Sequence, residues 1–226
     1  TANLLWDNTS SVLVGDYLFA RSFQLMVETG SLRVLDILAN ASATIAEGEV
    51  LQLTAAADLA TTEEIYFKVV RGKTAALFSA AMEVGGVIAS ADETLVKALF
   101  SYGDALGISF QIVDDLLDYS GSDATGKNIG DDFRERKLTL PVIRAIAAGN
   151  AEERAFWDRT IAKGRQSAGD LDQALAILAR HGTMATTRDT AIAWAQTAKV
   201  ALAPLPDHEL KTMLIDLADY VVARIT

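Results

Sequence analysis

The fold of this chain is indicated most clearly by the stretch Phe110-Gln111-Ile112-Val113-Asp114-Asp115-Leu116-Leu117-Asp118. Its apolar residues recur at intervals of three and four, the spacing that favours a helix over a strand. At about 100° per residue, Gln111 and the three aspartates fall within an arc of about 100° on one face, and Asp104 lies on the same stripe. The stretch therefore predicts a largely apolar helix that carries one stripe of carboxylates.

The same periodicity continues in both directions from this stretch and predicts an all-α protein of one domain, residues 1–226. Alanine and leucine are abundant, and the chain has only three prolines. A capping box of Thr61 with Glu64 predicts the start of one helix, and a box of Ser90 with Glu93 predicts the start of another that continues through Asp118. We expect the remaining helices at Ser10–Val27, Leu32–Ala56, Pro141–Ala148, Ala151–Lys163, Leu171–Arg180, Thr183–Leu202 and His208–Ile225.

The composition excludes several classes of function. The chain has no cysteine, which excludes a disulfide framework, an iron-sulfur cluster, a thiolate zinc site and a cysteine nucleophile. We therefore expect a protein of the reducing cytoplasm. Its net charge of −10 disfavours nucleic acid as a partner, and no apolar run reaches the roughly 20 residues that a transmembrane helix needs.

The carboxylate stripe is the main candidate for chemistry. Like charges one turn apart destabilise a helix, and a bound divalent cation would relieve their repulsion. A solvated surface stripe is the plain alternative, but such a stripe would mix lysine with glutamate and would not have such apolar flanks. Short carboxylate side chains suit Mg²⁺, which proteins bind with one or two carboxylates plus substrate phosphates. A di-iron site is disfavoured, since neither His181 nor His208 follows a glutamate by three residues.

Two further segments carry residues that suit a phosphorylated substrate. Glycines and charges break the helical pattern between Gly121 and Leu140, which predicts a mobile loop in which Lys127 and Lys137 could close over a diphosphate. Such a loop is more often simply solvated. The second segment, Arg71-Gly72-Lys73-Thr74, places a cation and a hydroxyl within an apolar helix, where a lysine that snorkels to solvent is the alternative.

Taken together and in this order, these segments resemble the trans-isoprenyl diphosphate synthases, also called polyprenyl synthetases. Phe110–Asp118 is similar to the second aspartate-rich motif of that family, Gly126–Pro141 is similar to the loop after it, and Lys73-Thr74 matches its Lys-Thr pair. Ser11–Phe23 and Ile45–Leu53 match two further blocks. The second of these blocks, which contains Glu47-Gly48-Glu49, is more similar to long-chain enzymes for quinone side chains than to farnesyl enzymes.

The resemblance implies an isoprenoid synthase fold, a helical bundle around a central cavity, in a homodimer. It also implies Mg²⁺-dependent transfer, in which an allylic diphosphate ionises and its cation is attacked by the double bond of isopentenyl diphosphate to give a trans-polyprenyl diphosphate. Release of that product at a membrane surface is compatible with the resemblance.

The resemblance further implies a role for each matching residue. It assigns Asp114, Asp115 and Asp118 to Mg²⁺, directly or through water; Lys73, Lys127 and Lys137 to the allylic diphosphate; Thr74 and Gln111, with Lys73, to catalysis near the developing cation; and Glu49 and Gln52 to the prenyl cavity.

Several alternatives stay open at this point. A short-chain synthase would show the same motifs, and a terpene cyclase or head-to-head condensing enzyme would use similar aspartates. A non-catalytic partner subunit of a prenyl synthase is the alternative from another class. The first residues of the chain resemble those just after the first aspartate-rich motif of the family, so we expect residues 1–226 to lack that motif and the N-terminal helices. Whether these exist upstream is not settled by the sequence.

Overall fold

The computed structural model describes residues 5–120 and 129–225, and within them it contains helices and no strand, which confirms the all-α prediction. The helices are α1 Asn8–Glu28, α2 Leu32–Ala55, α3 Glu63–Val70, α4 Ala76–Ile88, α5 Glu93–Ser120, α6 Asp131–Arg134, α7 Leu140–Ala148, α8 Ala151–Trp157, α9 Asp170–Arg180, α10 Thr183–Ala201 and α11 Glu209–Ala223. The described residues also contain two π-helical turns, Arg71–Ala75 between α3 and α4 and Asp158–Ala162 after α8.

The 28-residue helix α5 lies at the centre of the bundle and packs mainly against α4 and α10. Its apolar residues, such as Ile108, Ile112 and Val113, are fully buried. Two glycines let the backbone of α4 come close: a Cβ at Gly103 would lie 2.5 Å from the Phe78 carbonyl oxygen, and a Cβ at Gly107 would lie 2.6 Å from the Cα of Ala75. The helix with the carboxylate stripe is thus fixed directly against the helix that follows Lys73.

A second close contact joins α2 to the π turn. A Cβ on Gly48 would lie 2.5 Å from the backbone nitrogen of Lys73, and a Cβ on Gly72 would lie 3.0 Å from the Cα of Gly48. No side chain fits between the two backbones at this crossing. The crossing places the last two turns of α2 beside Lys73.

The helix starts differ from the two predicted capping boxes. Thr62, not Thr61, caps α3 by accepting a hydrogen bond from the Ile65 amide, because the Thr61 hydroxyl donates to the carbonyl of Ala55. Asp92 accepts the first amides of α5, whereas Ser90 has a left-handed backbone with φ of 53°. In the first case a contact outside the motif decides the cap, and in the second the backbone conformation of Ser90 does.

The segment predicted as one loop contains a short helix. Residues Asp131–Arg134 form α6, because the carboxylate of Asp118 accepts the backbone amides of Asp131 and Asp132, each at 3.1 Å. Gly130, with φ of 78°, provides the turn before α6. Residues 121–128, which include Lys127 and the first part of the predicted mobile loop, lie outside the described residues.

The first helix differs from the rest in its surface. α1 contacts α2 but leaves large apolar side chains exposed, among them Leu13, Tyr17 and Leu18. No helix in the described part of the chain has the length and hydropathy that crossing a bilayer requires.

Candidate active site

A pocket of about 230 Å³ opens between the end of α2, the π turn, the second half of α5 and the segment after α6. Its wall combines charged and amide side chains with small apolar ones. The lining residues are Gln52, Ala55, Ala56, Thr61, Tyr66, Val69, Val70, Lys73, Thr74, Gln111, Asp114, Asp115, Asp132, Lys137, Leu138 and Thr139.

Lys73 projects from the π turn toward the end of α2. Its ammonium lies 3.1 Å from Glu49 Oε1 and donates to Gln52 Oε1 at 2.8 Å. Single π-helical turns are uncommon and occur frequently at functional sites, because the extra residue changes the direction of neighbouring side chains. The ammonium is about one-third exposed, so an anion in the pocket can reach it.

A chain of hydrogen bonds runs from Thr74 to the core. The Thr74 hydroxyl donates to Gln111 Oε1 at 2.8 Å, and Gln111 Nε2 donates to Asp115 Oδ1 at 2.8 Å. The Tyr66 hydroxyl donates to the other oxygen of Asp115 at 2.6 Å. Both oxygens of Asp115 therefore accept hydrogen bonds from protein groups.

The charge of Asp115 is strongly affected by its surroundings. Burial raises the pKa of Asp115 to about 7, although the hydrogen bonds from Tyr66 and Gln111 act in the opposite direction. Burial, together with the charge of Asp115, raises the pKa of Tyr66 well above its usual range, so Tyr66 remains a hydrogen-bond donor. Perturbed carboxylates of this kind are common at functional sites.

Asp118 faces α6 and is not among the residues that line the pocket. Its two oxygens accept the first two amides of α6, so its carboxylate connects the end of α5 to the turn that follows. Burial and the nearby charge of Asp132 raise the pKa of Asp118 to about 6, while the hydrogen bonds from the α6 amides partly offset this rise.

Lys137, in the segment after α6, also lines the pocket. Its ammonium contacts Asp132 at 3.0 Å and Glu135 at 2.7 Å. Partial burial acts to lower the pKa of Lys137, but the hydrogen bonds to Glu135 and Asp132 outweigh this effect and raise it above its usual range. Lys137 thus remains a cation at any physiological pH.

The carboxylate stripe divides into separate environments. Asp114 is half-buried and lines the pocket. Asp104, nearly three turns earlier, pairs with Arg71 at 3.3 Å and lies outside the pocket. Among the described residues, no three acidic, histidine or cysteine side chains converge as a ready-made metal site.

The structure brings most of the predicted site residues together. Glu49 lies at the rim through its contact with Lys73, Asp118 lies behind the pocket, and Lys127 lies outside the described residues. Sequence reasoning missed the contribution of Tyr66, because its partner Asp115 lies 49 residues away and no local motif marks the contact. The predicted residues on the pocket wall are Gln52, Lys73, Thr74, Gln111, Asp114, Asp115 and Lys137.

Comparison with known proteins gives a consistent family assignment. The polyprenyl synthetase profile matches residues 1–178. The octaprenyl diphosphate synthase of Haemophilus influenzae is 42% identical over 225 residues, which cover 99% of this chain and 68% of that protein.

Solved structures give the same result for the fold. A decaprenyl diphosphate synthase from Rhodobacter capsulatus is 70% identical, with a TM-score of 0.95 over 100% of this chain and 70% of that one. A polyprenyl synthase from Caulobacter crescentus, solved with calcium and isoprenyl diphosphate, is 47% identical, with a TM-score of 0.94 over 100% of this chain and 69% of that one. The all-α isoprenoid synthase fold predicted from the sequence is confirmed.

Proposed function

The chain belongs to the polyprenyl synthetase family, and from this premise we propose that it joins an allylic diphosphate to isopentenyl diphosphate to build a long trans-polyprenyl diphosphate. The observation that carries this proposal is a pocket lined by two lysines, Lys73 and Lys137, together with Asp114. The similarity to octaprenyl and decaprenyl synthases favours the long-chain type. The enzyme is thus a trans-prenyltransferase.

The two lysines suit the diphosphate of the allylic substrate. Each ammonium is held by side-chain oxygens, Lys73 by Glu49 and Gln52 and Lys137 by Asp132 and Glu135. Phosphate oxygens can take the place of these partners, because an ammonium has three donors and acts as a compact charge. Lys127, from the matching sequence motif, would add a third cation.

Asp114 would hold Mg²⁺ together with oxygens of the bound diphosphate. The donor set fits this ion, because Mg²⁺ takes carboxylate oxygens and substrate phosphates and retains several waters. Mg²⁺ would neutralise the charge that the diphosphate carries as it leaves. The assignment of Asp115 and Asp118 to the metal stays a prediction; their oxygens accept protein hydrogen bonds, which favours contact through water over direct ligation.

Thr74 and Gln111 lie next to Lys73 in the pocket, where the carbon that loses the diphosphate would sit. Their oxygens can stabilise positive charge on that carbon, since preorganised dipoles act strongly in a site that excludes water. The double bond of isopentenyl diphosphate attacks the same carbon, and loss of a proton then restores the neutral chain.

An apolar groove lies along α2 and α4, on the faces that also carry Gln52 and Thr74, and it suits the growing tail. Leu77, Val84 and Ile88 follow Thr74 on one face of α4, while Ile45 and Leu38 precede Gln52 on one face of α2. These side chains line a groove of about 590 Å³. The 14 residues from Thr74 to Ile88 rise about 21 Å, which gives room for a tail of several isoprene units.

The exposed apolar side chains of α1 support a homodimer in which this helix is covered. Contiguous apolar surface on a soluble protein marks an interaction site. Light scattering of the purified full-length protein tests this part of the proposal separately from activity, and a monomeric mass would contradict it.

Activity is tested with the full-length protein, radiolabelled isopentenyl diphosphate and an allylic primer, with and without Mg²⁺. We expect long polyprenyl products that depend on Mg²⁺. Products that stop at farnesyl or geranylgeranyl length would favour the short-chain alternative. No product alone, with stimulation of a second synthase, would favour a partner subunit.

A further inference from the structure

We propose that Tyr66 is a positioning residue that, through Asp115 and Gln111, turns the Thr74 hydroxyl so that its oxygen lone pairs face the pocket. The inference rests on the proposed prenyl transfer and adds a residue that acts on the cation without touching it. Tyr66 is buried, and its hydroxyl donates to Asp115 Oδ2 at 2.6 Å.

The carboxylate of Asp115 fixes the direction of the whole chain. In its ionised form the carboxylate of Asp115 can only accept hydrogen bonds, so the side-chain amide of Gln111 then turns its NH₂ group toward Asp115, at 2.8 Å. The carbonyl oxygen of Gln111 then faces Thr74, and it can only accept. The Thr74 hydroxyl therefore donates its single proton to Gln111, at 2.8 Å.

The consequence for the pocket is a fixed dipole. A threonine hydroxyl has one proton and two lone pairs, so once its proton is used by Gln111, Thr74 presents only acceptor positions to other groups. Lone pairs stabilise a neighbouring cation, whereas an O–H proton in the same place would repel it. Because the dipole is already oriented, no reorganisation is needed when the allylic diphosphate ionises.

Tyr66 holds the first link of this chain in place. Asp115 is 5% exposed, so an oxygen that lost its donor could not recover the hydrogen bond from bulk water. The carboxylate would then turn toward other donors, and the hydrogen bond that orients Gln111 would be lost. The hydroxyl of Tyr66 thus maintains the geometry of Thr74 although three hydrogen bonds separate them.

The first test compares two tyrosine-to-phenylalanine changes in the full-length enzyme. In Tyr66→Phe we expect kcat to fall about tenfold, with the KM of both substrates and the Mg²⁺ half-saturation within twofold of wild type. Tyr102→Phe is the matched control, because Tyr102 is fully buried and donates to the Leu214 carbonyl at 2.7 Å, away from the pocket. It should keep kcat within twofold even if its melting temperature falls further.

The second test reverses the direction of the chain. In Asp115→Asn, Tyr66 keeps its role as donor if it bonds the one remaining oxygen, and the new NH₂ group then faces Gln111. The amide of Gln111 flips and the Thr74 proton turns into the pocket, so we expect kcat to fall about 100-fold. Adding Gln111→Glu restores acceptor oxygens toward both Thr74 and residue 115. It should raise kcat at least tenfold above that of Asp115→Asn. A double variant no better than Asp115→Asn would overturn the proposal.

Binding provides a readout that does not depend on turnover. The probes are an allylic diphosphate analogue with a protonated nitrogen at the cationic position and its uncharged counterpart, titrated with Mg²⁺ by calorimetry. We expect Tyr66→Phe to lower the affinity for the charged analogue about tenfold and the affinity for the uncharged one less than twofold. Equal weakening of both, unchanged binding of both, or an unchanged kcat would refute the positioning role. Wild-type protein that makes no polyprenyl product would instead contradict the proposed function.

Discussion

The two walls of the pocket are held in place by different kinds of contact. The helical wall, formed by α2, the π turn Arg71–Ala75 and α5, is fixed by backbones that touch at glycines. The turn wall, residues 130–139, is fixed by side-chain contacts: the buried ring of Phe133 packs on Phe156 and Trp157, Asp118 accepts the α6 amides, and Gln166 Nε2 donates to the Phe133 carbonyl at 2.8 Å. Close backbone contacts cannot shift without a large loss of packing, whereas hydrogen bonds can be exchanged.

This difference matches the tasks that we assign to the walls. The helical wall carries Thr74, Gln111 and Asp114, which must already be oriented when charge develops on the substrate. The turn wall carries Lys137, whose partners Asp132 and Glu135 must yield to an incoming diphosphate. A fixed wall beside the cation and an adjustable wall beside the phosphate would let one site serve substrates that lengthen at each cycle.

The largest expected effect is on the helical wall, at Asp114. In Asp114→Asn we expect kcat to fall at least 100-fold in the full-length enzyme, because the leaving diphosphate would lose a ligand of its Mg²⁺. The melting temperature should change little, since Asp114 is only half-buried.

The matched control for this change is Asp104→Asn, on the same helix stripe but paired with Arg71 outside the pocket. It should keep kcat within about threefold of wild type. Steady-state kinetics across Mg²⁺ concentrations and thermal melts measure both variants, and near wild-type turnover in Asp114→Asn would remove Asp114 from the metal site.

The second prediction breaks the backbone contact of the helical wall. A methyl group on Gly48 would lie 2.5 Å from the nitrogen of Lys73, and no flexible side chain there can move aside. We expect Gly48→Ala to lower the free energy of unfolding by about 2–3 kcal/mol and kcat by more than tenfold, because the crossing must open and Lys73 must shift.

Gly85→Ala provides the comparison in α4. A Cβ at Gly85 would meet no atom within 4 Å, so this change should raise stability by about 0.5–1 kcal/mol through the higher helix propensity of alanine. Urea unfolding measures both variants. If Gly48→Ala were as stable as Gly85→Ala, the crossing would not be rigid.

The sequence predicted the helical wall far better than the turn wall, and the reason is physical. Helix periodicity is local, so the apolar repeats sufficed to predict α5, and an arc of 100° sufficed to place Gln111, Asp114 and Asp115 on one face. The cap of α6 depends on Asp118, which lies 13 and 14 residues before the amides it accepts. No local motif signals such a contact.

Other differences have the same origin. Asp104 is on the predicted stripe, but it lies about 15 Å along α5 from Asp114 and pairs with Arg71 outside the pocket. The contact between Tyr66 and Asp115 spans 49 residues, and a tyrosine among apolar residues looks like any core side chain in the sequence. Residue type and spacing indicated which chemistry is present, while partners from distant segments decided which groups face the substrate.

The third prediction uses pH to compare Asp115, inside the helical wall, with Asp118, which joins the two walls. Their folded-state pKa values of about 7 and about 6 lie above the usual 3.8, so the folded state binds protons more tightly. These groups therefore stabilise the fold fully below about pH 4, and their contribution is lost as the pH rises through about 6 and then about 7.

Unfolding without Mg²⁺ at a series of pH values measures this effect. Between pH 4 and pH 8, the unfolding free energy of wild type should fall by roughly 4 kcal/mol relative to that of Asp115→Asn, which cannot ionise at this position. The difference should develop progressively between about pH 4 and about pH 7 and level off above that. Parallel pH profiles would show that Asp115 has an ordinary pKa.

The smallest expected effect concerns the turn wall. Gly130 and Gly182 both have left-handed backbones, with φ of 78° and 62°, so an alanine at either position should cost about 1 kcal/mol of stability. They differ in surroundings: a Cβ at Gly130 would lie 2.5 Å from the Leu171 side chain, whereas one at Gly182 would meet nothing within 4 Å. Leu171 can move, so the extra loss of stability in Gly130→Ala should be small, but the turn that leads into α6 must shift with it.

We therefore expect Gly130→Ala to raise the KM for the allylic diphosphate about threefold to fivefold at unchanged kcat, and Gly182→Ala to leave both constants unchanged. A fall in kcat without a change in KM would mean that the turn wall acts on the cation rather than on the diphosphate, and the division of labour between the walls would be wrong.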